Sequence, residues 1–224
     1  MRLRPVGEDS LLVDLDTREQ AQAWHARLLT WRSAATAASV REIVPGEKTV
    51  LLYGVADVRA VEAELRRWTV PALSSGSGPV LEIPVHYNGT DIGAVAGLWG
   101  VAEDEVARIH SGIEHRVAFC GFSPGFAYMT GLGDAHHVPR HAAPRTSVPA
   151  GSVALAGPYT GIYPRASPGG WQLIGTTHVR LWDMEREPAA LLMAGMRVRF
   201  IPQEPGSEDT DGPRQATEAG RRIT

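Results

Sequence analysis

Three side chains between residues 110 and 147 could act on a small polar substrate. Arg145 lies between Pro144 and Pro149. Its planar guanidinium can clamp a carboxylate or phosphate oxygen through two bonds, and rigid flanks would preorganise it. The alternative is a surface arginine that braces a loop carbonyl. Ser147, and Ser152 after it, can donate to an amide oxygen or bond their own turn backbone. His110, at the end of a helix pattern, can serve as acid, base or partner contact, or simply stabilise the helix dipole. Arg145, His110 and Ser147 are therefore the catalytic candidates.

Flat rings and backbone kinks surround them. Between Gly121 and Gly175 the chain reads G-F-S-P-G-F-A-Y (121–128), P-R-T-S-V-P-A-G-S-V (144–153), A-G-P-Y-T-G-I-Y-P (156–164) and S-P-G-G-W-Q-L-I-G (167–175). Glycine permits backbone conformations that other residues avoid, and proline fixes φ. Phe122, Phe126, Tyr128, Tyr163 and Trp171 could form a stacking surface or a packed core. A barrel interior is limited, so some of them must lie at its mouth, with Phe126, Tyr163 and Trp171 the first choices. The candidate binding set is Phe122, Pro124, Gly125, Phe126, Tyr128, Thr160, Gly161, Tyr163, Pro164, Ser167, Gly169, Gly170 and Trp171. Backbone N–H groups of Gly157 to Gly161 and of Gly169-Gly170, with Arg145, could hold an oxyanion.

The elements that must position these groups fall into two parts. Residues 1–78 read as a small α/β sandwich. Ser10–Leu15 is a strand, and Thr17 caps a helix through Trp24 and Leu28 with Gln20 as its box partner. Val40–Val44 and Thr49–Gly54 are strands around the turn Pro45–Lys48. A second helix carries Val58, Val61, Leu65 and Trp68. The order β-α-β-β-α leaves room for a final strand, as in a ferredoxin-like sandwich. The segment P-A-L-S-S-G-S-G-P (71–79) is a linker. Residues 79–204 form the second part. A strand covers Leu81–Tyr87, and helices cover Asp91–Gly100 and Ala102–Ser111. Short strands follow at His115–Phe119, Gly151–Ala156, Trp171–Thr176, His178–Trp182 and Arg197–Ile201, a barrel or sandwich pattern. Residues 205–224 read as a flexible tail.

Of 224 residues, 43% are hydrophobic and 21% charged, and the net charge is −3. That balance suits a globular protein and not a general nucleic-acid binder. The only cysteine, Cys120, excludes an internal disulfide and is expected to be a buried, inert thiol. His136, His137 and His141 have no acidic or cysteine ligands in register, so no metal is expected. No apolar run reaches the roughly 20 residues of a membrane helix, and the N-terminus lacks a signal-peptide core; the cytoplasm is the expected location. A GxxxxGK[ST] phosphate loop, a GxSxG elbow and an HExxH helix are all missing from the sequence.

The four Gly/Pro/aromatic motifs together resemble the family of KipI and the B subunit of 5-oxoprolinase. The same module is called allophanate hydrolase subunit 1 and occurs in the carboxyltransferase region of urea carboxylases. G-E-D-S-L-L-V (7–13), I-V-P-G (43–46), I-P-V-H-Y (83–87) and L-L-M-A-G-M-R-V-R-F (191–200) extend the likeness over nearly the whole chain. Pro158-Tyr159 departs from the family pattern, where glutamine is common. The resemblance implies an α+β chain: an α/β sandwich followed by a cyclophilin-like β-barrel. It also implies two partners, a C-type 5-oxoprolinase subunit built on a related barrel and an A-type one. ATP would be used in the complex to open a small amide, 5-oxoproline. This chain alone would be inactive. Other members inhibit a sensor histidine kinase, which is the alternative function. A prolyl isomerase would follow from the barrel fold alone, and fold does not carry function.

Overall fold

Why the N-terminal sandwich closes is visible in its first five residues. The computed structural model describes residues 1–34, 40–72 and 79–204, with the backbone of 214–216. It divides into two compact units, Met1–Ser77 and Gly78–Thr224. The first unit runs β1 (Arg2–Val6), β2 (Ser10–Asp14), α1 (Arg18–Arg32), β3 (Val40–Pro45), β4 (Thr49–Val55) and α2 (Val58–Leu65). Its sheet has the order β1-β2-β4-β3, antiparallel throughout. The strand expected after α2 is instead supplied from the N-terminus, by β1. Only Leu3 of β1 is buried, so no alternation marks the segment. An edge strand tolerates Pro5, and Arg2 and Arg4 reach Asp14 at 3.3 and 2.9 Å.

Thr17 caps α1 by accepting from the Gln20 N–H (3.2 Å), and the Gln20 side chain accepts from the Asp16 N–H (3.0 Å). Leu11, Val13, Leu28, Val50, Leu52, Val61 and Leu65 form the core. Trp68, just past α2, stacks on Trp24 at 5.8 Å and meets Trp31 edge-on.

The second unit runs β5 (Val80–Val85), α3 (Ile92–Trp99), α4 (Glu103–Ser111), β6 (His115–Cys120), β7 (Ala127–Thr130), a 3-10 turn (Asp134–His136), β8 (Arg145–Val148), β9 (Ser152–Ala156), β10 (Tyr159–Ile162), β11 (Ser167–Gly169), β12 (Gln172–Thr176), β13 (Arg197–Pro202) and β14 (Arg214–Ala216). One sheet has the order β12-β9-β10-β7-β6-β13-β5-β14; β13 and β5 are parallel and the other neighbours antiparallel. His86, just past β5, exchanges two backbone hydrogen bonds with Thr176 at the end of β12 (2.9 and 2.8 Å), which curls the sheet into a nearly closed barrel. Ile83, Val117, Met129, Val153, Ile174 and Phe200 fill it, joined by Val95 of α3 and Val106 of α4. β8 and β11 pair separately.

Three expectations change. His178–Trp182 is not a strand. Its carbonyls at 180 and 181 accept from Arg186, and only Trp182 bridges to Ala190. Arg214–Ala216, within the expected tail, pairs with β5; 205–213 and 217–224 lie outside the described residues. Cys120 is exposed at the end of β6, where its thiol donates to the Leu192 carbonyl (3.5 Å). Burial of part of its surface still pushes the thiol pKa up, which disfavours the nucleophilic thiolate. Among the described residues, no helix is long and apolar enough to cross a membrane.

Candidate functional site

Phe126 sits at the centre of a satellite cluster outside the main barrel core. Between β6 and β7 the chain turns through Gly121–Gly125 and delivers Phe126 inward. Phe122, Tyr128, Tyr163 and Trp171 meet its ring at steep angles, with centroids 5.3, 5.1, 5.5 and 5.4 Å away. Such edge-to-face pairs add stabilisation beyond burial. Gly161 of β10 lies beneath; a Cβ there would come within 2.8 Å of Phe126 and 2.9 Å of Trp171. Gly169 of β11 leaves room for the Tyr163 hydroxyl, which a Cβ would overlap.

These rings border an open-sided cavity of about 100 Å³. Phe122, Phe126, Tyr128, Tyr163, Gly169, Gly170 and Trp171 line it, so seven of the thirteen candidate binding residues converge. Pro168 and Arg140 complete the lining. Phe122 stands apart from its neighbours. It is the one non-glycine residue in the left-handed region among those described (φ 69°), and the residue is 62% exposed. A bulky residue there is a backbone outlier, and such strain clusters at binding sites.

Gly125 and Pro164 pack instead beside Leu181 and Trp182 at the rim, and Pro124 is exposed. Ser167 pairs with Val148, its hydroxyl oxygen buried without a hydrogen-bond partner. Ser147 is exposed on β8 and does not line the cavity.

Arg145 is held by a residue that no motif marks. Asp91, at the N-terminus of α3, accepts from Arg145 Nη2 (2.6 Å) and from the Leu173 N–H (2.7 Å). The Asp91 N–H returns a bond to the Leu173 carbonyl (2.9 Å), and His141 Nε2 lies 3.3 Å from the same carboxylate. Arg145 Nη1 also donates to the Trp171 carbonyl (3.4 Å). Burial alone would raise the Asp91 carboxyl, but the Leu173 N–H, Arg145 and His141 together hold it below the usual range. The guanidinium thus fastens Trp171 and β8 to α3, as in the bracing alternative, and does not line the aromatic cavity. The 54-residue separation of Asp91 and Arg145 hides the pair from any local motif.

His110 and Thr160 lie elsewhere. Both are buried, and His110 Nε2 faces the Thr160 hydroxyl at 3.1 Å while its Nδ1 faces the Tyr87 hydroxyl at 2.8 Å. The His115 Nε2–H donates to the His110 carbonyl (3.0 Å), and Phe200 packs against both rings. Burial holds His110 well below the ordinary histidine range and His115 at about 4. Both imidazoles are neutral struts of the barrel interior and line neither groove. A larger groove of about 630 Å³ opens by Tyr87, with Glu103, Asp104 and Glu204 in its wall, and contains none of the candidate residues.

A two-part chain with a nearly closed barrel and this glycine-floored aromatic site defines a class. The chain belongs to the carboxyltransferase domain family, subdomains C and D, which matches residues 1–192. It is similar to proteins named as the B subunit of 5-oxoprolinase. The Escherichia coli relative is 39% identical, covering 90% of this chain and 95% of the relative. The Haemophilus influenzae relative is 35% identical, covering 90% and 97%. Among solved structures, TTHA0988 superposes with a TM-score of 0.73 at 31% identity, over 95% of this chain but 42% of that one, so this chain spans less than half of its length. The uncharacterised protein PH0987 from Pyrococcus horikoshii gives 0.53 at 31% identity, covering 91% and 98%. Urea amidolyase of Kluyveromyces lactis gives 0.67 at 18% identity over 90% of this chain and 15% of that one, a likeness of fold.

Proposed function

We propose that this chain is one component of an ATP-dependent 5-oxoprolinase or a related amide-hydrolysing complex, and that a C-type partner completes its small-amide site. One observation carries the reading: the aromatic cavity is incomplete and its open side bears Phe122, strained and exposed. Ligand pockets usually measure about 300–1,000 Å³ and bury most of their ligand. At about 100 Å³ the cavity is too small and shallow to isolate a lactam from water without a second surface. Trp182 and Met184 extend the exposed apolar rim, with the Trp182 indole N–H donating to Met184 Sδ (3.2 Å) and Gly125 packed against Trp182. The naming of the relatives as one subunit of an enzyme supports the same division of labour.

Within the complex the rings would stack on the flat amide while backbone N–H groups of the glycine loops polarise its carbonyl. ATP would be bound by the A-type partner. The aromatic cavity is too small for a nucleotide, and the larger groove has carboxylates in its wall that oppose a triphosphate. The test is co-expression with C-type and A-type partner proteins, followed by an assay for ATP-dependent release of glutamate from 5-oxoproline. Phe122→Ala is expected to lower that activity at least tenfold while the melting temperature of the free chain changes little, because the side chain is largely exposed and alanine keeps the same backbone demand. Full activity in Phe122→Ala would remove this face from the site.

A further inference from the structure

Arg140 is the only charged residue lining the aromatic cavity among the described residues, and nothing in the motifs points to it. Its guanidinium carbon sits 5.8 Å from the centroid of the Trp171 ring. Tyr128 and Tyr163 line the same cavity; burial raises both phenols, and the charge of Arg140 opposes that rise in both. Among the described residues it has no carboxylate within ion-pair reach, although Arg145, five positions on, is tied to Asp91 at 2.6 Å. The backbone on either side of Arg140 is pinned. The Pro139 carbonyl accepts from the Gln172 side-chain amide (3.1 Å), and the His141 N–H donates to the Gly170 carbonyl (2.8 Å). Both anchors are neighbours of Trp171, so the backbone at Arg140 is held beside the ring wall while its guanidinium makes no ion pair among the described residues.

We propose that Arg140 is the specificity residue of this site and that it binds the carboxylate of the lactam substrate. This deepens the functional reading above and rests on it. 5-Oxoproline is a flat five-membered lactam with a carboxylate on the ring carbon beside nitrogen. Laid along the cavity lining beside the exposed Phe122, its ring meets an apolar wall, and its carboxylate meets a guanidinium suited to a two-bond clamp. Arg145 cannot take that part without giving up Asp91. The selectivity that follows is for amides carrying an acidic group over neutral lactams of the same size.

The experiment uses the complete complex of this chain with both partners and compares wild type, Arg140→Gln and Arg140→Lys, measuring KM and kcat for ATP-dependent glutamate release. Inhibition by the neutral lactam 2-pyrrolidinone is measured alongside. A charge-assisted hydrogen bond contributes about 1.5–3 kcal/mol, or roughly 10- to 150-fold in affinity. Arg140→Gln is therefore expected to raise KM on the order of 10- to 100-fold with kcat within a few-fold, to leave 2-pyrrolidinone inhibition unchanged, and to be partly rescued by Arg140→Lys. An active wild type with unchanged KM in Arg140→Gln overturns the assignment, as does a loss confined to kcat. An equal weakening of 2-pyrrolidinone shows a general distortion of the wall and overturns it too. An inactive wild-type complex refutes the functional reading instead. Arg140 is exposed and makes no hydrogen bond among the described residues, so the variants are expected to melt with wild type.

Discussion

Asp91 accepts from Arg145 at 2.6 Å and from the Leu173 N–H at 2.7 Å, so removing the charge of either side chain strips the other of its closest ionic partner next to the barrel. Asp91→Asn is expected to cost about 2–4 kcal/mol, because breaking a largely buried pair strands its partner. Arg145→Gln, at a more solvated position, is expected to cost about 2 kcal/mol. Urea unfolding checks both, and a loss below about 0.5 kcal/mol in each would show that the pair is not a strut. The prolines make Arg145 visible in the sequence, but they do not reveal its partner. Arg140 and Asp91 are invisible for the same reason: their significance comes from contacts across more than thirty residues. The buried histidines add a pH dependence. His115 falls from 6.5 in the unfolded chain to about 4 in the fold, and His110 falls as well. The unfolded chain therefore binds protons first as pH drops, so stability is complete above about pH 6.5 and is lost progressively toward pH 4. For His115 the loss is at most roughly 3 kcal/mol. Its Nδ1 has no hydrogen-bond partner, so a proton there would be uncompensated. Melting temperatures at pH 8, 6 and 4.5 are expected to fall in that order, and His115→Leu should flatten part of the slope.

At the scale of elements, the long periodic segments were legible and the short ones were not. The helices around Leu28, Val61, Val95 and Val106 follow their apolar spacing and their ends. β7, β8, β10 and β11 have three or four residues each, with glycine or proline within or beside them, which is too short for an alternation of period two to show. Tertiary contact makes them strands. Their glycines then serve packing. Gly161→Ala, whose methyl would meet Phe126 and Trp171, is expected to cost about 1–3 kcal/mol by overpacking. A shift of the denaturant midpoint without a change in slope would check it, and an unshifted midpoint would show that the rings give way freely. β1 shows no periodic signal because an edge strand with one buried side chain carries no alternation.

For the molecule as a whole, two units and a β-rich second half could be read from composition and from the turn spacing. Barrel closure could not, because it depends on backbone atoms of His86 and Thr176, about ninety residues apart in the chain. The gathering of the aromatic motifs into one cavity was legible only in outline. The motifs occur in order along the chain, but whether their rings meet depends on the packing of β6, β7, β10 and β12.

That closure has a mechanical corollary. Where β13 runs beside β5 the cylinder is laced along six registered pairs, whereas past the far end of β5 the His86–Thr176 rung, with the Thr176 hydroxyl on Asn88, is backed by the Asp91–Leu173 clasp and holds the wall shut. The barrel is thus a curled ribbon fastened by two buttons. Trp171 immediately precedes the fastened strand, so loosening either button would tilt the ring wall of the cleft and leave the opposite side of the drum in place.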